Sequence, residues 1–269
     1  MFCKDYFGIE QDVRHYLAGE YMGNEHLIGI EIEVEGIRWV EIPPYWRTIE
    51  DGSLRDGFEL VLRQPLTGKD LEDALDHAER ELQDKEMPDS PRTSVHVHID
   101  VRDATFEEIR SLLFLYAVFE DHFFLMGGEQ RKDSFYCAPW STSSAQMKAV
   151  QMLLNARNRG LAGLGNKYSA LNIQTMQNYG SVEFRMHQGT TNMDDIRKFI
   201  QDIYALRSYV KGNAREDLMD YLNEYSRDGA KSLFRDIFGR DTNINHDVTM
   251  RSAQALVAKP VTPEFIEKV

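Results

Sequence analysis

In GIEIEVEG, residues 29–36, Glu31, Glu33 and Glu35 alternate with aliphatic residues. On a β-strand, side chains two apart share a face and lie ~6–7 Å from one another. Three carboxylates that close repel, and glutamate has poor strand propensity. Three further stretches share this rhythm. GFELVLR (57–63) sets Glu59, Val61 and Arg63 against Phe58, Leu60 and Leu62. SVHVHID (94–100) alternates His96, His98 and Asp100 with Val95, Val97 and Ile99. SVEFRMH (181–187) alternates Glu183, Arg185 and His187 with Val182, Phe184 and Met186. Any one of these faces reads as the solvated side of an antiparallel sheet. Four faces rich in Glu, His and Arg, rather than Thr, Ser, Lys and Gln, point to divalent cations. Carboxylate oxygens are natural ligands for Mg²⁺ or Mn²⁺, and a bound cation removes the repulsion. Imidazole beside the carboxylates tilts the choice slightly toward Mn²⁺ without excluding Mg²⁺.

Other chemistries fit less well. A His-x-His strand also occurs in zinc hydrolases, but Asp100 is followed by Val101 and few further His or Cys lie nearby. Alone, HVHID reads equally as two histidines packed in a polar sheet. Glu183 and Arg185 read as an intrastrand ion pair, or as a metal ligand beside a guanidinium that grips phosphate. The stretch NARNRGLAGLGNKYSALNI (155–173) collects Arg157, Arg159 and Lys167 among glycines. It could hold nucleotide phosphates, or complement the dipole of a helix C-terminus. Phosphate-loop, dinucleotide, serine-elbow and Cys/His protease patterns are absent.

These strands need helices behind them. KDLEDALDHAERELQ (69–83) puts Leu71, Ala74, Leu75, Ala78 and Leu82 on one stripe. From Thr105, with Glu108 completing a capping box, an apolar helix is expected to run to about Gly127. A third helix is expected up to Gly160, and a fourth from an Asn192 cap with Ile196, Phe199, Ile200 and Ile203 inward. The expected class is α+β, a sheet covered by helices on one face. Residues 1–212 read as the main domain and 213–269 as a helical extension packing on it. The loops 36–56 and 127–143 hold Trp39, Tyr45, Trp46, Tyr136 and Trp140, which could line a pocket or pack the loops.

Bulk properties narrow the partners. A net charge of −13 disfavours general nucleic-acid binding. Cys3 and Cys137 form no metal or redox spacing, the N-terminus lacks a signal-peptide core, and LLFLYAVF (112–119) is too short to span a bilayer. A cytoplasmic protein without membrane contact is expected.

Taken in order, Glu-x-Glu, DGSL…GFELV, His-x-His and KYSALNI…GSVEFR-x-H-x-GT resemble the glutamine synthetase and glutamate–cysteine ligase superfamily of carboxylate–amine ligases. The closest likeness is to its small amidoligase members, over roughly residues 25 to 210. The resemblance implies a curved antiparallel β-sheet of the glutamine synthetase-like catalytic fold, backed by helices, that binds ATP with Mg²⁺ or Mn²⁺. It implies Glu31, Glu33, Glu59, His98 and Glu183 as metal ligands, and Arg185 and His96 at the transferred phosphate. Lys167, Asn172 and Arg159 would contact the nucleotide, and Asp51 matches a further acidic position. The implied reaction is amide formation through an acyl phosphate, releasing ADP and phosphate. Asp51 and Asp100 are candidates for the base that deprotonates the amine. The substrates, small molecules or peptides, are unreadable, and an oligomer is compatible. One departure is that Leu60 to Pro65 lacks the Ser-Pro that larger ligases show after this glutamate. The rival reading is a metal-dependent hydrolase or phosphodiesterase on the same Glu/His cluster, acting without ATP.

Overall fold

The computed structural model describes residues 2–7, 26–37, 44–142, 166–218, 220–221 and 229–242. Strand alternation decides how its layers stack. Ile30, Ile32, Val34, Val95, Val97, Ile99, Val182 and Phe184 are wholly buried in one core. Burying each such side chain is worth ~1.5–3 kcal/mol, so this face, and not the acidic one, holds the sheet to its helices. The strands are β1 (Ile28–Glu35), β2 (Trp46–Ile49), β3 (Gly57–Leu62), β4 (Ser94–Asp100), β5 (Leu171–Asn172) and β6 (Ser181–Gln188). They form one open antiparallel sheet in the order β2-β3-β1-β4-β6-β5. The architecture is α+β.

The helices are α1 (Cys3–Phe7), α2 (Gly68–Leu82), α3 (Phe106–Gly127), α4 (Thr175–Tyr179), α5 (Met193–Asn213) and α6 (Gly229–Phe238). In α2, Leu71, Ala74, Leu75, Ala78 and Leu82 are buried, as the stripe requires. Thr105 and Glu108 close both halves of the capping box on α3. The Asn192 side chain accepts from the Asp194 N–H to start α5, which buries Ile196, Phe199, Ile200 and Ile203. The helix expected up to Gly160 lies outside the described residues. The described C-terminal helix, α6, joins the same core through Leu233, Phe234, Ile237 and Phe238. Among the described residues, no helix is long and apolar enough to cross a membrane.

Three details depart from expectation. The stretch 36–56 is not all loop: Trp46–Ile49 pairs with β3 as an edge strand. Trp46 and Trp140, which the sequence leaves free to line a pocket or pack the loops, are fully buried, their indole N–H groups donating to the Ala74 and Leu171 carbonyls, so both brace the core itself. Third, His187 does not share a face with Glu183 and Arg185. Between the pairs Val95–His187 and Val97–Phe184, β6 carries one residue more than β4. This bulge resets the alternation, and the His187 ring packs 5.0 Å from that of Phe199 on α5.

Candidate functional site

Register assembles the polar face. Glu31 lies opposite His96 of β4 and Val61 of β3, Glu33 opposite Glu59, and His98 opposite Glu183. Directly paired side chains stand ~4.5–5.5 Å apart. Two triads result: Glu31 with Glu59 and His96, and Glu31 with His98 and Glu183. Within each triad the ligand atoms lie within 4.8 Å of one another. Glu31 belongs to both, and its position on β1, between β3 and β4, is what makes that sharing geometrically available.

Two serines set the histidines. The Ser94 hydroxyl donates to Glu33 Oε2 at 2.6 Å, so toward His96 Nε2, 2.9 Å away, it acts as acceptor. That leaves Nδ1 facing Glu31 Oε2 at 3.0 Å and Glu183 Oε1 at 3.4 Å, and in the absence of a cation it donates to the Glu31 carboxylate, which can only accept. His98 Nδ1 lies 3.2 Å from the Ser181 hydroxyl. Its buried Nε2 makes no well-formed hydrogen bond and faces Glu31 Oε1 at 3.4 Å and Glu183 Oε1 at 3.9 Å. In each case a second group fixes one ring nitrogen and aims the other at carboxylates, the arrangement that metal-ligating histidines show. An imidazole nitrogen set among carboxylates is a donor set that Mn²⁺ or Mg²⁺ could take.

The electrostatics agree. Burial, followed by the charges of Glu31 and Glu33, pushes the Glu59 carboxyl up to about 9. Without a cation this acid keeps its proton at neutral pH. Burial opposes ionisation of Glu31, but the hydrogen bond from His96 and the adjacent His98 imidazole hold it well below the usual carboxylate range. Burial also opposes the His98 imidazolium, yet Glu183 and Glu31 outweigh it and raise that pKa. Arg185 donates from a terminal nitrogen to Glu183 Oε1, while its buried Nε has no partner. Burial weighs against its charge, and Glu183, Glu31 and Glu33 raise its pKa regardless. Glu35 answers differently: Arg92 grips it at 2.7 and 2.8 Å and the Arg55 N–H adds a bond at 2.6 Å. The third carboxylate of the opening stretch is therefore neutralised by an ion pair.

Not every expected residue enters the triads. Glu33 sits one step along β1, bound to Ser94. Asp51 is half-buried in the turn after β2, where its Oδ1 accepts from the Ser53 N–H and its charge reaches Glu59. Asn172 is buried and supports the site: its amide donates to Glu183 Oε2 at 2.7 Å, and its oxygen accepts from the Gln174 N–H. Lys167 is exposed, 4.8 Å from the Tyr168 ring. Arg159 lies outside the described residues. Asp100 is bound through both oxygens to Arg102, which removes it as a base for the amine. Ser94, Ser181 and Tyr179, whose ring stands edge-on to His98 at 6.4 Å, are additions that the sequence had not marked.

No curated protein matches the chain. A family model described as "Putative amidoligase enzyme" matches residues 45–207, which span β2 to β6 and most of α5 and leave β1 outside the match. Over that span lie Glu59, His96, His98, Glu183 and Arg185, so on its sequence the chain belongs to this amidoligase family.

Proposed function

We propose that the chain is an ATP-dependent carboxylate–amine ligase of the glutamine synthetase-like kind, using Mg²⁺ or Mn²⁺. The observation that carries this reading is the double triad on Glu31, with two imidazole nitrogens aimed at carboxylates, in a member of an amidoligase family. Glu31, Glu59, His96, His98 and Glu183 would hold the ions, with Glu33 next to them. When bound, such ions would supply positive charge that offsets the charge on the phosphoryl group during its transfer.

The substrate carboxylate attacks the γ-phosphorus of ATP, the bond to the β-phosphate oxygen breaks, and ADP leaves. Arg185, with an unused Nε beside Glu183, holds the phosphoryl group as its charge develops. The amine then attacks the acyl carbon, and phosphate leaves with the carbon–oxygen electron pair. Asp51, half-buried and close enough to influence Glu59, is the carboxylate remaining to take the amine's proton. Asn172 positions Glu183 and so acts through it.

Incubation with ATP, Mg²⁺ or Mn²⁺ and pooled amino acids tests the proposal. ADP release together with a new amide mass supports it. Hydrolysis of phosphoesters with no ATP dependence would replace it with the hydrolase reading.

A further inference from the structure

Beyond Ser94 and Gln188, which pair at one end of the polar face, a cavity of about 600 Å³ opens. That size falls within the ~300–1,000 Å³ of small-molecule pockets. Its walls include Met87, Pro91, Thr93, Gln130, Gln188 and Arg131. Arg131 belongs to the 3-10 helix Glu129–Asp133 and is 4% exposed. It has no carboxylate within ion-pair distance among the described residues. Its terminal nitrogens donate to the backbone carbonyls of Pro91 at 3.2 Å and Arg185 at 3.4 Å, the guanidinium also contacts the Cys137 sulfur, and its Nε has no partner. The neighbouring Cys137 thiol supplies no negative charge, since burial pushes its pKa up to about 12.

A buried guanidinium without an ion pair is costly, and the charge of Glu33 reaches Arg131 only through space. We propose that this cavity receives the carboxylate substrate, and that Arg131 binds a second carboxylate of it while the first reaches the cation cluster. The Arg131–Arg185 carbonyl contact and the Ser94–Glu33 hydrogen bond put the cavity next to that cluster. The exposed Asp89 and Asp133 also line it. The ligand class is a dicarboxylate, either free or at the end of a peptide. The inference rests on the ligase reading for the fate of the first carboxylate, but the binding site does not.

Calorimetry on the full chain without nucleotide tests it, with glutarate as the free dicarboxylate, acetyl-alanyl-glutamate as the peptide end and glutaramide as the neutral isostere. Wild type binds at least one of the two anions and not glutaramide, and whichever binds identifies the source. Arg131→Gln weakens that binding by about tenfold or more, the cost of losing a charge-assisted hydrogen bond. Gln130→Trp, at an exposed lining position, blocks the cavity and weakens it too while leaving the guanidinium in place. Arg131→Lys, which keeps the charge, retains part of the affinity and shows that the pocket has folded. Equal binding by wild type and Arg131→Gln, or no preference for the anions over glutaramide, overturns the proposal. Mg²⁺-ATP titrated into the same wild-type sample separates the two ideas: anion binding without nucleotide binding sinks the ligase reading alone, and the reverse sinks the pocket alone.

Discussion

Each polar residue on this sheet has a distinct electrostatic answer. Glu35 is met by Arg92, Glu33 by Ser94, and Glu31 by two imidazoles. Glu59, buried beside the charges of Glu31 and Glu33, takes a proton instead. The ligase reading therefore separates the roles of two neighbours. Glu183→Ala should fold, lose affinity for Mn²⁺ and recover part of its turnover at high Mn²⁺. Arg185→Ala should keep Mn²⁺ affinity and lose on the order of 10²–10³ in kcat, the scale for one preorganised charge-stabilising donor. Rescue of Arg185→Ala by excess metal would assign it to metal binding instead. Glu59 also sets a pH dependence. Its folded pKa, about 9, lies above the unfolded value of 4.5, so between those values the folded state holds a proton that the unfolded state releases. Metal-free stability should then fall as pH rises from about 5 toward 9. Glu59→Gln should flatten that slope in thermal melts, and an unchanged slope would contradict the shift.

At the scale of elements, alternation within each strand was legible, because period two is written into the residues themselves. That held for Ile30 to Val34, for Val95 to Ile99, and for the helix stripe from Leu71 to Leu82. Pairing was not legible, since nothing in GIEIEVEG says that Glu31 will face His96 while Glu33 faces Glu59. The bulge in β6 was equally hidden, and it moved His187 to the helix side. The supporting serines did leave a trace. Ser94 stands two before His96 and Ser181 two before Glu183, so each falls on the polar face by the same rule that found its neighbour. Arg131 left none, because a 3-10 helix in a connecting segment carries no periodicity that marks a pocket wall. Register also rests on close approach at one glycine. A Cβ on Gly57 would collide with the Val34 carbonyl oxygen where β1 meets β3. Gly57→Val should therefore lower the melting temperature and also weaken Mn²⁺ binding, because it displaces Glu59 relative to Glu31. Loss of stability with full metal affinity in the folded fraction would show that the triad does not depend on this contact.

For the whole molecule, one core carries the polar face of the sheet. The sheet's apolar side, α2, α3, α5 and α6 share a single buried cluster. Phe234 of α6 packs on His122 at 4.8 Å and on Phe119 at 5.6 Å, and His122 Nε2 is bonded to Asp202 of α5 at 2.8 Å. Phe234→Ala should cost ~3–5 kcal/mol of stability while leaving metal affinity intact, as measured by denaturant melts alongside Mn²⁺ titration. A selective loss of metal binding would place α6 in the site. The most direct measurement for the central claim is Mn²⁺ titration by calorimetry on wild type and Glu31→Gln, with both shown to be folded. Because Glu31 is common to both triads, the account predicts saturable Mn²⁺ binding in wild type and its near-complete loss in the variant. Glu31→Gln that binds Mn²⁺ as wild type does, in number and affinity, would contradict it.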